Sequence, residues 1–327
     1  MFKKHFFKIL VGICVSIVLI WLTLHQIDIK KSFELIAGVK YFVLIPGILV
    51  YIFTYIIRSV RYYYILLPLK KTKVLDNFPY TIIGFFANNI IPLRFGELIR
   101  AKITGERLRV FRSSVLATIV IERLFDVIIF VLFFFLIVTV MSFPEFIKKS
   151  FYILTFVFFI CLSTLYIMLT HKNKALKVLS KIPIPSFVES LTVFLNRFTG
   201  GLVVLKDPSI LIKSFIFSGI LWITEALFVV IVAYACGIHI SILGGIFTVI
   251  IIGMGGMIPT APGYFGAFEL MGVLALSTLS VDKDLAFICT AICHFLQLVI
   301  IFTLGGLCVL KTKITFSDLF KFAKESE

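Results

Sequence analysis

Three stretches put ionisable and hydrogen-bonding side chains into apolar sequence. The first reads Asn88-Asn-Ile-Ile-Pro-Leu-Arg-Phe-Gly-Glu-Leu-Ile-Arg-Ala101. Asn88 and Asn89 bring amide donors and acceptors. Arg94 and Arg100 can fork onto phosphate oxygens, and Glu97 can hold an arginine or a substrate ammonium. Pro92 and Gly96 interrupt helical continuity between them. Lys102, Arg107, Arg109 and Arg112 extend the positive patch. The plainer reading of that patch is a cytoplasmic loop whose charge only sets topology.

The second stretch is Glu122-Arg123-Leu-Phe-Asp126. Counted from Ser114 at ~1.5 Å per residue, Glu122 lies roughly 12 Å into a helix. Glu122 and Asp126 are four apart and share a face, with Arg123 close to both. Charges at that depth face the protein interior or a wet cavity. The alternative is a self-neutralising cluster that fixes helix packing.

The third stretch is Gly253-Met-Gly-Gly-Met-Ile-Pro-Thr-Ala-Pro-Gly-Tyr-Phe-Gly-Ala-Phe-Glu269, with two prolines, five glycines and one carboxylate. Pro259 and Pro262 lack the N–H a helix interior needs, and Gly263 and Gly266 allow backbone angles other residues resist. Non-helical backbone at membrane depth survives only where protein or a water-filled cavity satisfies its polar groups. The stretch therefore reads as a re-entrant hairpin lining a site, against an ordinary loop between two short spans. Glu225, mid-span in the fifth expected helix, is placed at the same cavity. His294 and Gln297 on the last span are weaker candidates, since a lone polar residue in a span is as often a helix–helix hydrogen bond.

The elements that carry these residues belong in a membrane. The chain has 327 residues, 60% hydrophobic and 15% charged, with 37 phenylalanines and a mean hydropathy of +1.11. Soluble domains do not have so little polar surface. Thirty-two Lys and Arg against 17 Asp and Glu give +15. The basic residues gather beside apolar runs, so they read as topology signal and contact with anionic head groups, not as a nucleic-acid surface.

The six cysteines (Cys14, Cys161, Cys236, Cys289, Cys293, Cys308) lie in or beside apolar runs and read as packing residues. Cys289, Cys293 and His294 are too few ligands for a metal. No nucleophile elbow, zincin helix, phosphate loop or Asp-rich metal motif occurs, and the five histidines are scattered. No cofactor, metal or catalytic residue is expected.

Six segments are long enough to cross: 6–24, 41–57, 114–140, 151–170, 211–235 and 285–310. Two further apolar stretches, 78–93 and 240–280, are broken by Pro and Gly. Basic loops after the second and fourth spans and at both ends place both termini in the cytoplasm. Arg58 and Arg61 count among these loop charges. Keeping that pattern requires each broken stretch to enter and leave on one side. Units 41–140 and 211–310 then read as inverted-topology halves, sharing Ile-Pro…Gly…Glu-Leu at Ile91 to Leu98 and Ile258 to Leu270. Residues 171–210 form a cytoplasmic connector with an amphipathic helix over 187–198. The expected fold is an all-α polytopic membrane protein of about six transmembrane helices plus two re-entrant hairpins.

The three quoted stretches, in this order and spacing, resemble the lysylphosphatidylglycerol synthase transmembrane family, also called flippase-like. The third departs from the family's commoner Pro-Gly-Gly-x-Gly, having Tyr264 and Phe265 after Gly263. In that family the membrane region of bifunctional synthases moves the aminoacylated lipid between leaflets, and a separate soluble domain transfers the lysine. Here Glu327 follows soon after the last span, so the resemblance implies translocation without that domain.

The resulting expectation is a cell-membrane flippase for an anionic or aminoacylated phospholipid or a polyprenyl-phosphate lipid. Arg94, Arg100 and Arg123 would meet phosphate, balanced by Glu97, Glu122, Asp126 and Glu269. Its expected partners are lipid head groups, with a second copy or a lipid-modifying enzyme as further candidates. A membrane-embedded transferase using the Arg94-to-Glu97 region and an ion-coupled solute carrier are the competing readings.

Overall fold

The computed structural model describes residues 2–91, 95–141, 145–170, 185–256, 258, 260–312, 314 and 318–319. Among them are twelve α-helices and no strand. In chain order these are α1 (Phe2–Leu24), α2 (Ile29–Ala37), α3 (Leu44–Leu66), α4 (Val74–Ile90), α5 (Gly96–Leu108) and α6 (Arg112–Val140). They are followed by α7 (Glu145–Thr170), α8 (Pro185–Gly201), α9 (Pro208–Ala235), α10 (Ile242–Gly255), α11 (Ala267–Thr278) and α12 (Lys283–Thr312).

Four helical segments are long and apolar enough to cross a membrane: Tyr41–Leu66, Arg112–Val140, Pro208–Ala235 and Lys283–Thr312. They coincide with four of the six expected spans. Over the other two, the described apolar helices are shorter, Leu10–Leu24 and Phe151–Ile160, and Ile242–Gly255 is a third short one. An all-α polytopic membrane fold accounts for this pattern, because a helix satisfies its own backbone groups in lipid.

The chain forms two compact units, one of residues 1–63, 73–100 and 215–327, the other of 64–72 and 101–214. In the first unit, α4 packs along α12, α10 against α11, α11 against α12 and α1 against α11. Small residues allow these close approaches. A Cβ on Gly255 would strike Met271, one on Gly272 would strike Thr290, and one on Gly305 would strike the Phe86 ring.

At one end of this unit, Asp28 caps α2 by accepting from the Lys30 and Lys31 amides. The Asp28 N–H donates to Asp284 on α12 at 2.8 Å, and Lys31 Nζ reaches Asp284 at 2.7 Å and Asp282 at 3.1 Å. The Asp284 hydrogen bond, then that of Asp282, holds the Lys31 ammonium above the ordinary lysine range.

The second unit is centred on Ile65, Ala117, Ile121, Leu202, Val204 and Ile210, with Phe125 and Phe198 against them. Helix α8 lies along α6. Ser114 Oγ donates to the Arg197 carbonyl at 2.6 Å, and Gly201 sits directly on the Ser114 backbone. The amphipathic segment expected at 187–198 is thus helical, with Val193 and Phe194 exposed and Phe198 turned into the core.

Candidate functional site

In the first unit the most polar interior lies where α3, α4, α9 and the first turn of α5 meet. Arg58 and Arg61 on α3 and Arg100 on α5 are 8%, 0% and 2% exposed. Arg58 Nη2 donates to Glu225 Oε1 on α9 at 2.6 Å, with both side chains nearly buried. Arg61 Nη1 donates to Ser218 Oγ, also on α9, at 2.8 Å.

Aromatic rings line the same place. The Arg100 guanidinium lies 3.5 Å from the centre of the Tyr62 ring, and Phe85 on α4 has Arg58 at 4.7 Å and Arg100 at 6.0 Å. Trp222 on α9 lies 5.8 Å from Arg58. Such contacts gain strength when desolvated, reaching about 2 kcal/mol. Tyr51 and Tyr55 continue the wall along α3, Tyr51 against Phe228 and Tyr55 against Phe85.

Close backbone packing sets the first helix break beside this cluster. A Cβ on Gly96 would collide with the Gly84 carbonyl oxygen and with Asn88, and one on Gly84 would run into the Arg100 stem. These two glycines let the start of α5 fold onto α4, which presses the Arg100 side chain into the interior. Asn88 Oδ1 is buried there without a hydrogen-bond partner, whereas Asn89 Nδ2 caps its own helix by donating to the Phe85 carbonyl at 2.9 Å. Glu97, half-buried, precedes Arg100 by three residues on α5. Pro92 and Arg94 lie outside the described residues.

The second break is closed by named hydrogen bonds. After α10 the backbone reaches a short turn at Pro262–Tyr264, with Gly263, Tyr264 and Gly266 at φ of 78°, 61° and 88°. Left-handed φ is natural for glycine and strained for a tyrosine. Glu269 Oε2 accepts from the Gly266 N–H at 2.7 Å, which caps α11. Its other oxygen meets His294 Nδ1 on α12 at 2.5 Å, and His294 Nε2 meets the Gly263 carbonyl at 2.7 Å. The imidazole is stacked on Phe268 at 4.3 Å. From α1, Ser16 Oγ accepts from the Ala261 N–H at 2.9 Å and donates to the Phe265 carbonyl at 2.8 Å. The turn also rests on α4, so both breaks touch one helix. Pro259 lies outside the described residues.

In the second unit, Glu122 and Asp126 are buried at 1% and 5%, and Arg123, about a third exposed, donates to Asp126 Oδ2 at 3.0 Å. Lys102 is buried in the same unit at 4%.

Residues 9–305 match the family described as the lysylphosphatidylglycerol synthase TM region. The chain belongs to that family. Neither a curated protein nor a solved structure matches it.

For this family member the structure brings Gly96, Arg100 and Glu225 into one region with α4, and Pro262, Gly263, Gly266 and Glu269 into another. Sequence reasoning missed Arg58 and Arg61, which it placed in a loop after residue 57. Helix α3 instead continues to Leu66 and buries both. A signal was available: Tyr51, Tyr55, Arg58, Tyr62 and Ile65 recur at intervals of four and three, one face of a helix running through the charges. Ser16 was also missed and His294 undervalued, since a polar residue's partners across the fold are invisible along the chain.

Proposed function

We propose that the protein moves a lipid with a phosphate-bearing head group between leaflets, and that Arg58, Arg61 and Arg100 form the phosphate site. Membership of a lipid-synthase membrane family supports a role in lipid handling. The observation that carries the reading further is the charge of the interior cluster. On α3, α4, α9 and the start of α5, three buried guanidiniums stand against Glu225 and Glu97, with Asp76 spent at the exposed start of α4. At this place on those elements the guanidiniums outnumber the carboxylates, three to two. Guanidiniums keep their charge at any accessible pH, and burying them is costly unless anions compensate. A phosphate diester supplies one negative charge and oxygens that suit bidentate donation.

Glu225 sets the orientation of Arg58, and the aromatic wall lies against the Arg58 and Arg100 guanidiniums. In this reading the two broken hairpins are re-entrant, and acyl chains stay in the bilayer while the head group passes the cluster.

Mass spectrometry of lipids retained by the purified protein tests the binding step. Phosphate-bearing lipids should dominate and fall at least several-fold in Arg61→Gln. Retention of neutral lipids only, or an unchanged profile in Arg61→Gln, contradicts the reading.

A further inference from the structure

The second break contains a contact that constrains its own protonation. The Gly263 carbonyl can only accept, so His294 Nε2 at 2.7 Å must carry a hydrogen. A neutral imidazole protonated there offers a bare lone pair at Nδ1. Yet Nδ1 faces Glu269 Oε1 at 2.5 Å. Two acceptors cannot sit at that separation, so one proton lies between them, as imidazolium with carboxylate or as imidazole with carboxylic acid. Both descriptions hold the same number of protons, and the pair is neutral in each.

We infer that Glu269 and His294 form a proton-binding site that couples movement of the second helix break to a proton gradient. The coupling follows from what the proton holds together. With it in place, α12 is tied to α11 through Glu269 and to the turn through Gly263, while Glu269 Oε2 still caps α11 at Gly266. Removing it sets lone pair against carboxylate and parts the helices. Adding a second proton to the carboxyl group takes an acceptor from either Gly266 or His294. One proton is the only loading that satisfies every contact. Tyr264, held at a left-handed φ of 61°, favours opening once the tie is released.

The surroundings suit exchange of a proton over binding of a metal or an ion. The described residues include no group of three or more His, Cys, Asp or Glu side chains able to hold a metal. His294 is enclosed by Phe268 and Phe265, while the Glu269 side chain keeps 14% of its surface open and Phe265 is 46% exposed beside it. Around the pair, α1 presents Ser16, α10 carries no titratable residue, and α11 carries only Glu269 itself. Helix α4 carries Asp76 and Tyr80 far from its broken end, and α12 adds Cys289 and Cys293 before His294, with Lys283 and Asp284 at its start and Cys308 and Lys311 towards its end. Helix α2 brings Lys30, Lys31 and Glu34 to the start of α12, and the turn itself brings Tyr264.

The cargo in this inference rests on the translocation reading; the proton rests on hydrogen-bond geometry alone. The test uses full-length protein in phosphatidylglycerol–phosphatidylcholine vesicles, with the membrane potential clamped by valinomycin and equal potassium. A gradient of one pH unit should shift labelled phosphatidylglycerol between leaflets by about tenfold for one proton per lipid. Lipid exchange that ignores the gradient would overturn the coupling and leave translocation standing. No exchange at all would remove the translocation reading and decide the proton site by a second measurement. That measurement is nitrogen-15 NMR of a chain keeping His294 as its sole histidine, the other four replaced by Asn. A protonated Nε2 and a shared-proton Nδ1 that changes in Glu269→Gln are expected. A bare Nδ1 indifferent to Glu269→Gln overturns the inference.

Discussion

The two helix breaks of the first unit solve the same backbone problem with opposite chemistry. The break between α4 and α5 is closed by glycine against backbone, and its neighbours are guanidiniums whose charge no ordinary pH removes. The break between α10 and α11 is closed by a serine, a carboxylate and an imidazole, groups whose protons exchange. The first arrangement presents a fixed charge to an anion. The second can change state. A transporter needs both a place that recognises its cargo and a part that moves, and in the function proposed above each break would carry one of them.

Substitutions should separate the two. The largest effect is expected for Glu225→Ala, which leaves the Arg58 guanidinium buried without its carboxylate and should lose about 3–5 kcal/mol of stability. The paired change Arg58→Met with Glu225→Met should recover most of it, as read by thermal unfolding in detergent. Gly96→Ala comes next, because its Cβ must displace the Gly84 carbonyl or Asn88; about 1–3 kcal/mol is expected. Glu269→Ala removes the α11 cap and the tie to His294, for about 2 kcal/mol. Glu269→Gln, which keeps an acceptor for the Gly266 amide, should lose less. Ser16→Ala, at about 1 kcal/mol, is the mildest. If Ser16→Ala proved as damaging as Glu225→Ala, the division into a charged break and a hydrogen-bonded break would not hold.

Much of this was legible in the sequence. Pro262, Gly263 and Gly266 announced the second break because each alters the backbone locally, and Glu122 and Asp126 stood out as carboxylates deep in an apolar run. The arginines of α3 were misread because hydropathy falls at Arg58 whether a helix ends there or turns its charges inward. Only the 51–55–58–62–65 stripe distinguishes the two. The partners of the second break were also out of reach, since Ser16 lies 245 and 249 residues from Ala261 and Phe265, His294 lies 25 residues from Glu269, and all meet through packing alone. The family's commoner second glycine corresponds here to Tyr264, at a φ that glycine adopts freely, so that departure has a local backbone meaning.

In the proposed function the arginine cluster passes a lipid phosphate across the bilayer. The direct measurement is leaflet exchange of labelled phosphatidylglycerol in vesicles containing the full chain. Exchange should be at least about tenfold faster than in protein-free vesicles, a barrier difference of about 1.4 kcal/mol or more, and should drop towards the protein-free rate in Arg61→Gln. Exchange no faster than in protein-free vesicles, or equally fast in wild type and Arg61→Gln, would contradict it.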